Sequence, residues 1–159
     1  MNNKTFERLR KIAKKTADAS PHHIRLGAVV FHKNRILSTG FNTSKGITRY
    51  LKIFRFATCH AEISAIRNVK NRELLKGSEI FVFRESKAGT PMISRPCGLC
   101  TQVMYEHGIK KVWYTVSEFP YWKCELVEDM YNKIDKKECF ETNCRKPMHP
   151  PEGKKKGNI

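Results

Sequence analysis

Two short stretches constrain this chain more than any other feature: Cys59-His60-Ala61-Glu62 and Pro96-Cys97-Gly98-Leu99-Cys100. They read His-x-Glu followed, further along the chain, by Pro-Cys-x-x-Cys. Cysteines three residues apart at the start of a helix place both sulfurs on one face, because residues i and i+3 are neighbours there. The unpaired amides and the dipole of a helix N-terminus also favour thiolate over thiol. The sequence therefore predicts one imidazole and two thiolates around a shared zinc ion.

The donor set favours a catalytic zinc ion over a structural one. Structural zinc ions take four protein ligands, whereas catalytic ions keep one position for water or substrate. His60, Cys97 and Cys100 supply three ligands, and Glu62 is predicted to be the catalytic proton carrier beside them. A structural site would give Glu62 no task. A redox-active cysteine pair would leave both His60 and Glu62 unexplained.

The combined motif resembles that of the cytidine and deoxycytidylate deaminase superfamily, which includes tRNA adenosine deaminases and polynucleotide cytosine deaminases. The resemblance runs from about Leu26 to about Ser117, and histidine as first ligand resembles the deoxycytidylate, tRNA and polynucleotide branches. It implies an α/β, cytidine-deaminase-like three-layer sandwich, with a mixed sheet of about five strands and helices on both faces. It also implies a hydrolytic enzyme with Zn²⁺ as cofactor, in which zinc-bound hydroxide attacks C4 of cytosine or C6 of adenine.

Length and hydropathy indicate a single domain. The chain has 159 residues, and we expect one domain over residues 1–149 and a basic mobile tail over residues 150–159. No apolar run approaches the roughly 18 residues needed to cross a bilayer, and the charged N-terminus lacks a signal-peptide core. These features predict a soluble intracellular protein without a membrane partner. Its six cysteines are then expected as metal ligands and free thiols rather than disulfides.

Positive charge is the most unusual feature of the composition. The net charge is +16, of which residues 1–60 carry +11 and the other 99 residues carry +5. Charge concentrated in this way favours a phosphate-bearing partner, either a nucleotide or a single-stranded nucleic acid. A coding bias towards Lys, Asn and Ile would explain the same excess without any partner. Both explanations stay open.

The spacing of apolar residues predicts helices alternating with strands. Helices are expected over residues 5–19, 60–69, 97–107 and around 126–134, and strands over 26–31, 35–40, 80–83 and 111–115. Gly108 is the expected C-cap of the third helix. The first two strands form a hairpin, whereas the last two, joined by a helical crossover, should run parallel.

Four residues are candidate contacts to the sugar and phosphate of a substrate. The resemblance assigns Asn42, in Gly40-Phe41-Asn42, to the substrate sugar, and it adds Ala61 from the zinc motif. A purely structural role in a turn explains Asn42 equally well. Arg84 and Arg95 flank a loop longer than the connection usual in the family, and they are expected to contact a phosphate.

Aromatic residues suggest base stacking at two places. Phe119 and Trp122 are expected to stack on a base, and packing of the following helix explains them nearly as well. Residues 43–58 interleave four basic residues with three aromatic ones, a mixture that suits single-stranded nucleic acid. The same mixture also describes a loop whose rings anchor in the core. These residues are Lys45, Arg49, Lys52, Arg55, Tyr50, Phe54 and Phe56.

The sequence leaves four functions in view. We expect conversion of cytosine to uracil in a single-stranded nucleic acid. The alternatives are a deaminase of free deoxycytidylate or cytidylate, an adenosine deaminase acting on RNA, and an inactive nucleic-acid-binding module. A homo-oligomer is compatible with all four. Cys124, Cys139, Cys144 and His149 could hold a second zinc ion, but their spacing matches no common finger, so free thiols are expected.

Overall fold

The structure, a computed structural model, describes residues 1–44 and 58–134. The elements in these ranges are α1 (Asn3–Ala17), β1 (Gly27–His32), β2 (Arg35–Phe41), α2 (Ala61–Arg67), a 3₁₀ helix (Arg72–Leu75), β3 (Glu79–Phe83), α3 (Gly98–Glu106), β4 (Lys111–Thr115), β5 (Trp122–Leu126) and α4 (Val127–Asn132). Several predictions concern residues outside the described ranges. These are the four basic and three aromatic residues between positions 45 and 56, the predicted tail over residues 150–159, and Cys139, Cys144 and His149 of the possible second zinc site. None of the described helices is long and apolar enough to cross a membrane.

The five strands form one mixed sheet in the order β2-β1-β3-β4-β5. Strand β1 runs antiparallel to both β2 and β3, while β3 and β4 run parallel. Strand β5 closes the series antiparallel to β4. The predicted hairpin and the predicted parallel pair of late strands are therefore confirmed.

Helices cover both faces of this sheet. Successive residues of a strand point to opposite faces. Accordingly, Val29 and Phe31 of β1 pack in a cluster with α1, whereas Ala28 and Val30 pack with α2 and α3. Strand β3 divides in the same way, and its burial on both faces explains its uninterrupted apolar sequence. The predicted α/β three-layer sandwich is confirmed.

The first helix follows its sequence pattern closely. Its buried residues, Phe6, Leu9, Ala13 and Ala17, lie on one face against the sheet. The helix begins two residues before the predicted start, because the Asn2 side chain accepts a hydrogen bond from Thr5 N at 2.8 Å and caps it. The basic residues between these apolar positions remain on the outer surface.

Strand β5 corrects the prediction for residues 117–126. Leu126 was expected in the last helix, but it ends a strand, and α4 begins at Val127. A tight turn joins β4 to β5, with Val116 N donating to Tyr121 O at 3.1 Å, and such a short connection requires antiparallel strands. The signal was present, since Trp-Lys-Cys-Glu-Leu alternates apolar and polar residues with the period of a half-buried strand.

Two glycines allow helices to approach the sheet at backbone distance. A Cβ atom added at Gly27 would lie 2.0 Å from the carbonyl oxygen of Ala13 in α1. A Cβ atom added at Gly40 would lie 2.1 Å from the backbone nitrogen of Ala65 in α2. Because the neighbouring atoms are backbone, no side-chain rotation could relieve either clash.

We therefore expect Gly40→Ala to lower the free energy of unfolding by about 3 kcal/mol, the upper range for overpacking. Urea unfolding at fixed protein concentration measures the difference. Gly89→Ala is the matched control, because Gly89 has open space around it and a φ of 80°, so only backbone strain of about 1–2 kcal/mol is expected. Equal losses in the two variants would contradict this account of Gly40.

Candidate active site

Two helix N-termini on the same face of the sheet carry the predicted metal ligands. His60 is the residue before α2, and Cys97 is the residue before α3, with Cys100 in the first turn of α3. Helix α2 is tied to the sheet, since Ser38 Oγ donates to Ala65 O at 2.6 Å and Asn68 Nδ2 to Thr39 O at 2.8 Å. These contacts hold the C-terminal half of α2 on β2, at the end of the helix opposite to His60.

Helix α3 has a defined end that keeps its first turn in register. Gly108 has a φ of 71°, and its N–H donates to Tyr105 O at 2.9 Å. Ile109 N donates to Met104 O at 3.0 Å, which completes the paired hydrogen bonds of a Schellman motif. The predicted role of Gly108 as the C-cap glycine is confirmed.

A buried polar cluster fixes the segment that leads into Cys97. Ser94 Oγ donates to Val82 O at 2.8 Å, and Ser94 N donates to Thr115 O at 3.0 Å. Thr115 Oγ1 in turn donates to Met92 O at 2.7 Å. Both hydroxyl residues are almost fully buried, so these hydrogen bonds hold the chain against β3 and β4 just before the cysteine pair.

The three predicted ligands come together. Their donor atoms all lie within 4.8 Å of one another. Nδ1 of His60 is 3.7 Å from Sγ of Cys97 and 3.4 Å from Sγ of Cys100. Tetrahedral zinc with its usual Zn–N and Zn–S bond lengths separates N and S ligand atoms by about 3.6 Å. The donor types and the spacing of this group therefore fit a zinc ion.

Glu62 is buried beside this group. Only 3% of its surface is exposed, although it is a carboxylic acid. Burial raises the pKa of Glu62, and it outweighs the opposing influences of the His60 charge and a hydrogen bond with Cys100. The carboxyl group is thus close to all three ligands and holds its proton more strongly than a carboxyl group in water.

The pKa of His60 is also raised, although burial acts on it in the opposite direction from Glu62. Burial alone would lower the pKa of His60, but the Cys97 thiol and the Glu62 carboxylate together raise it. His60 and Glu62 therefore both hold protons more strongly than they would in water. Metal ligands must lose their protons when a divalent cation binds, so metal binding at such a site releases protons. Cys59, immediately before His60, is buried but does not belong to this group of donor atoms.

Residues 2–116 match the family described as the cytidine and deoxycytidylate deaminase zinc-binding region. The chain belongs to this family. The predicted superfamily is thereby confirmed, and Zn²⁺ is the cofactor that the family motif and the His60, Cys97 and Cys100 group both indicate.

Solved structures of deaminases share the fold. The dCMP deaminase of the cyanophage S-TIM5 in apo form aligns at 24% identity with a TM-score of 0.57, covering 83% of this chain and 93% of that chain. Its complex with dCMP and dUMP aligns at 23% identity with a TM-score of 0.54, covering 73% of this chain and 84% of that chain. A cytidine deaminase from Burkholderia pseudomallei aligns at 21% identity and 0.55, covering 82% and 96%. No curated protein sequence matches the chain.

Asn42 and Ala61 have structural tasks in the fold. The Asn42 side chain accepts from Leu26 N at 2.9 Å and donates to Ile24 O at 2.8 Å, which ties the segment before β1 to the end of β2. Ala61 is fully buried at the start of α2, between His60 and Glu62. The proposed contacts of both residues with substrate stay predictions.

The two arginines differ in their surroundings. Arg84, at the carboxyl end of β3, lines a surface cleft of about 620 Å³. The other charged residues of this cleft are Lys14, Arg25, Lys87, Asp18 and Glu85, so the lining is positive on balance. Arg95 instead binds Glu125 through two hydrogen bonds of 2.7 and 3.0 Å. Lys14, Ala17 and Asp18 of α1 line this cleft, whereas the zinc ligands lie on the opposite face of the sheet, so the phosphate contact expected of Arg84 stays a prediction.

The sequence did not predict the partners of Arg95, because they come from distant strands. Tyr114 donates its hydroxyl hydrogen to the same Glu125 carboxylate at 2.6 Å. The Arg95 guanidinium holds the pKa of Glu125 below its usual value. Burial, together with the Glu125 carboxylate, raises the pKa of Tyr114 to about 12. The alternating pattern of β5 was the only sequence signal for this cluster.

Of the two aromatic candidates, the structure exposes one and packs the other. Phe119 is 86% exposed and meets Tyr121 edge to face, with ring centroids 6.1 Å apart. Trp122 packs on the α1 side of the sheet, with ring centroids 5.3 Å from Trp113 and 6.1 Å from Phe6. The expected base stacking by Trp122 is therefore corrected, since its ring is committed to the opposite face from the zinc ligands.

The Arg95 and Glu125 pair predicts a pH-dependent stability. Because folding lowers the Glu125 pKa, the pair stabilises the fold above the ordinary carboxyl pKa and stops doing so as pH falls through the lowered value. Arg95→Gln should lower the free energy of unfolding by about 0.5–1 kcal/mol at pH 7, allowing for solvent screening. Urea unfolding at pH 7, 5 and 3.5 should show this difference shrinking with acid.

Arg10→Gln is the control for this measurement, because Arg10 pairs with Glu7 on the exposed side of α1 at 3.1 Å. We expect it to change stability by less than Arg95→Gln at pH 7. A difference between wild type and Arg95→Gln that stays constant over the three pH values would refute the assignment to Glu125.

Proposed function

We propose that this protein hydrolytically deaminates the cytosine base of a free nucleotide, giving uracil and ammonia. The observation that carries the proposal is the convergence of His60, Cys97 and Cys100 with the buried carboxyl group of Glu62. A structural zinc site has no use for a carboxylic acid buried next to three ligands, and burying one without function costs stability.

The residues divide the chemistry between them. His60, Cys97 and Cys100 would hold a zinc ion, which would supply a Lewis acid that lowers the pKa of water to about 7. Glu62 accepts a proton from the attacking water and passes it to N3 of cytosine as the new C4–O bond forms. Glu62 then takes the remaining proton from the oxygen added at C4 and transfers it to the exocyclic amine, and the C4–N bond breaks as the C4=O bond forms, releasing ammonia. The raised pKa of Glu62 makes its carboxylate a stronger proton acceptor than a carboxylate in water, which suits a group that must take up a proton and pass it on.

Two observations support a free nucleotide as substrate. Solved structures of similar fold include a dCMP deaminase, also in complex with dCMP and dUMP, and a cytidine deaminase. Trp122, which was expected to stack on a neighbouring base, is instead engaged within the protein.

A single-stranded nucleic acid is the second candidate. The net charge of +16 and the exposed ring of Phe119 favour it, because cations attract the backbone and a free ring can stack on a base. The two candidates share the same reacting atoms. They differ only in what binds beyond the base.

Glu62→Gln should keep bound zinc and lose turnover. Glutamine preserves the shape of the side chain but cannot accept the proton, so kcat should fall by about 10²–10⁴, the usual contribution of a general base. Zinc content by elemental analysis and uracil formation from dCMP measure the two effects separately. Glu106→Gln, an equivalent change on the exposed face of α3, is the control and should retain both. An active Glu62→Gln enzyme would remove the proposed role of Glu62.

The substrate is tested by offering the zinc-loaded protein several cytosine compounds side by side. We expect dCMP to become dUMP, while cytosine in single-stranded DNA or RNA stays unchanged. Deamination of the oligonucleotide with dCMP untouched would establish the second candidate instead. In that case binding should also weaken steeply with added salt, because phosphate contacts release counterions. Inosine from an adenine oligonucleotide would contradict the choice of cytosine.

A further inference from the structure

Strand β5 is an open edge of the described sheet. It pairs with β4 on one side, and no described residue pairs with its other side. An unpaired strand edge presents a row of backbone donors and acceptors to any second strand. Three of the six exposed large hydrophobic side chains of the described residues fall on β5 or the turn before it, namely Phe119, Tyr121 and Leu126. Exposed apolar surface is therefore concentrated at this edge.

The two faces of β5 follow from its register with β4. Cys124 pairs with Trp113, which packs on the α1 side, so Cys124 and its neighbours two residues away lie on that face. Lys123 pairs with Tyr114, which packs on the opposite side, so Lys123 and Glu125 share the other face. Lys123 and Cys124 are both exposed.

The sequence of β5 is complementary to itself. When a second copy is placed antiparallel with Cys124 opposite Cys124, Lys123 of each copy meets Glu125 of the other on one face. Trp122 of each copy meets Leu126 of the other on the opposite face. Opposite charges and apolar pairs directly across antiparallel strands both stabilise a sheet. Glu125 already accepts hydrogen bonds from Arg95 and Tyr114, but a carboxylate has further acceptor sites for an ammonium group.

Charge also excludes the neighbouring registers. A slip of two residues between the copies would centre the pair on Lys123 or on Glu125. Either slip places identical charges directly opposite each other, which destabilises a strand pair. A slip that reverses the faces would bring the apolar residues of one copy onto the charged face of the other. Only the register centred on Cys124 matches both faces.

We propose that β5 is a self-association surface, at which a second copy of this chain pairs antiparallel with β5 about a two-fold axis at Cys124. The arrangement is isologous, so one surface serves both copies and the assembly closes as a dimer. It joins two five-stranded sheets into one continuous sheet. The exposed rings of Phe119 and Tyr121, immediately before β5, then lie near the end of the strand of the second copy and add apolar contact.

Association in solution is the first test. Sedimentation velocity of the zinc-loaded protein should show a dimer at micromolar concentration. Lys123→Glu puts an acid opposite Glu125 twice in each dimer and should raise the dimer dissociation constant at least about tenfold. Lys70→Glu makes the same change of charge at an exposed position outside β5 and should leave the constant unchanged. Circular dichroism checks that each variant is folded.

Cross-linking tests the register. Residues directly opposite in an antiparallel pair have Cα atoms about 4.5–5.5 Å apart, within the range that a disulfide spans. Copper–phenanthroline, which takes one electron from each thiol as its proton leaves, should therefore link Cys124 to Cys124 of the second copy. Cys124→Ser should abolish the covalent dimer, and a Cys139→Ser, Cys144→Ser double variant should retain it. Peptide mass spectrometry identifies the linked residues.

Two results would overturn the proposal. One is a protein that remains monomeric at tens of micromolar, which would mean that this edge is covered by the chain itself or left unused. The other is a dimer that Lys123→Glu leaves intact and that forms no Cys124 cross-link, which would place the contact elsewhere.

Discussion

The site depends on the close approach of two helix N-termini on one face of the sheet. His60 immediately precedes α2 and Cys97 immediately precedes α3, so the metal ligands meet only if both helices lie at the right depth on the strands. For α2 this depth is set at Gly40, where the backbones are too close for any side chain. For α3 it is set by the buried hydroxyls of Ser94 and Thr115, which hold the preceding segment. The arrangement of the metal ligands thus depends on Gly40, Ser94 and Thr115, none of which is itself a metal ligand.

Residue spacing along the sequence predicted those features of the fold that depend on residues close together in the chain. The ligands, the glycine at the end of α3, the hairpin and the parallel strands follow from spacing and from chain connectivity, both of which can be read along the sequence. The partners of Arg95 could not be read in this way, because Glu125 lies thirty residues away on another strand. Trp122 was misplaced for a related reason: without β5, nothing indicated which face of the sheet its ring would occupy.

Asn42 and Glu62 differ in how strongly the structure supports a functional role for a residue of the motif. Both residues match positions of the deaminase motif. Asn42 uses its side chain to bind the backbone at Leu26 and Ile24, so its fold-stabilising task is visible and a contact with substrate is not needed to explain it. Glu62 is buried at a cost in free energy that its neighbours only partly offset. A residue whose burial lowers the stability of the fold, such as Glu62, is stronger evidence of function than a residue that stabilises the fold, such as Asn42.

The charge balance of the site is consistent with the role that we propose for Glu62. Two thiolates from Cys97 and Cys100 would offset the charge of a divalent cation, and the imidazole of His60 would add none as a ligand. The ionised form of Glu62 therefore carries the net charge of the pocket, in surroundings that disfavour charge. This raises the affinity of Glu62 for a proton, which in the proposed reaction passes to N3 of cytosine. The same burial that costs the fold stability thus makes the carboxylate a stronger base than a carboxylate in water, as the proposed proton transfers require.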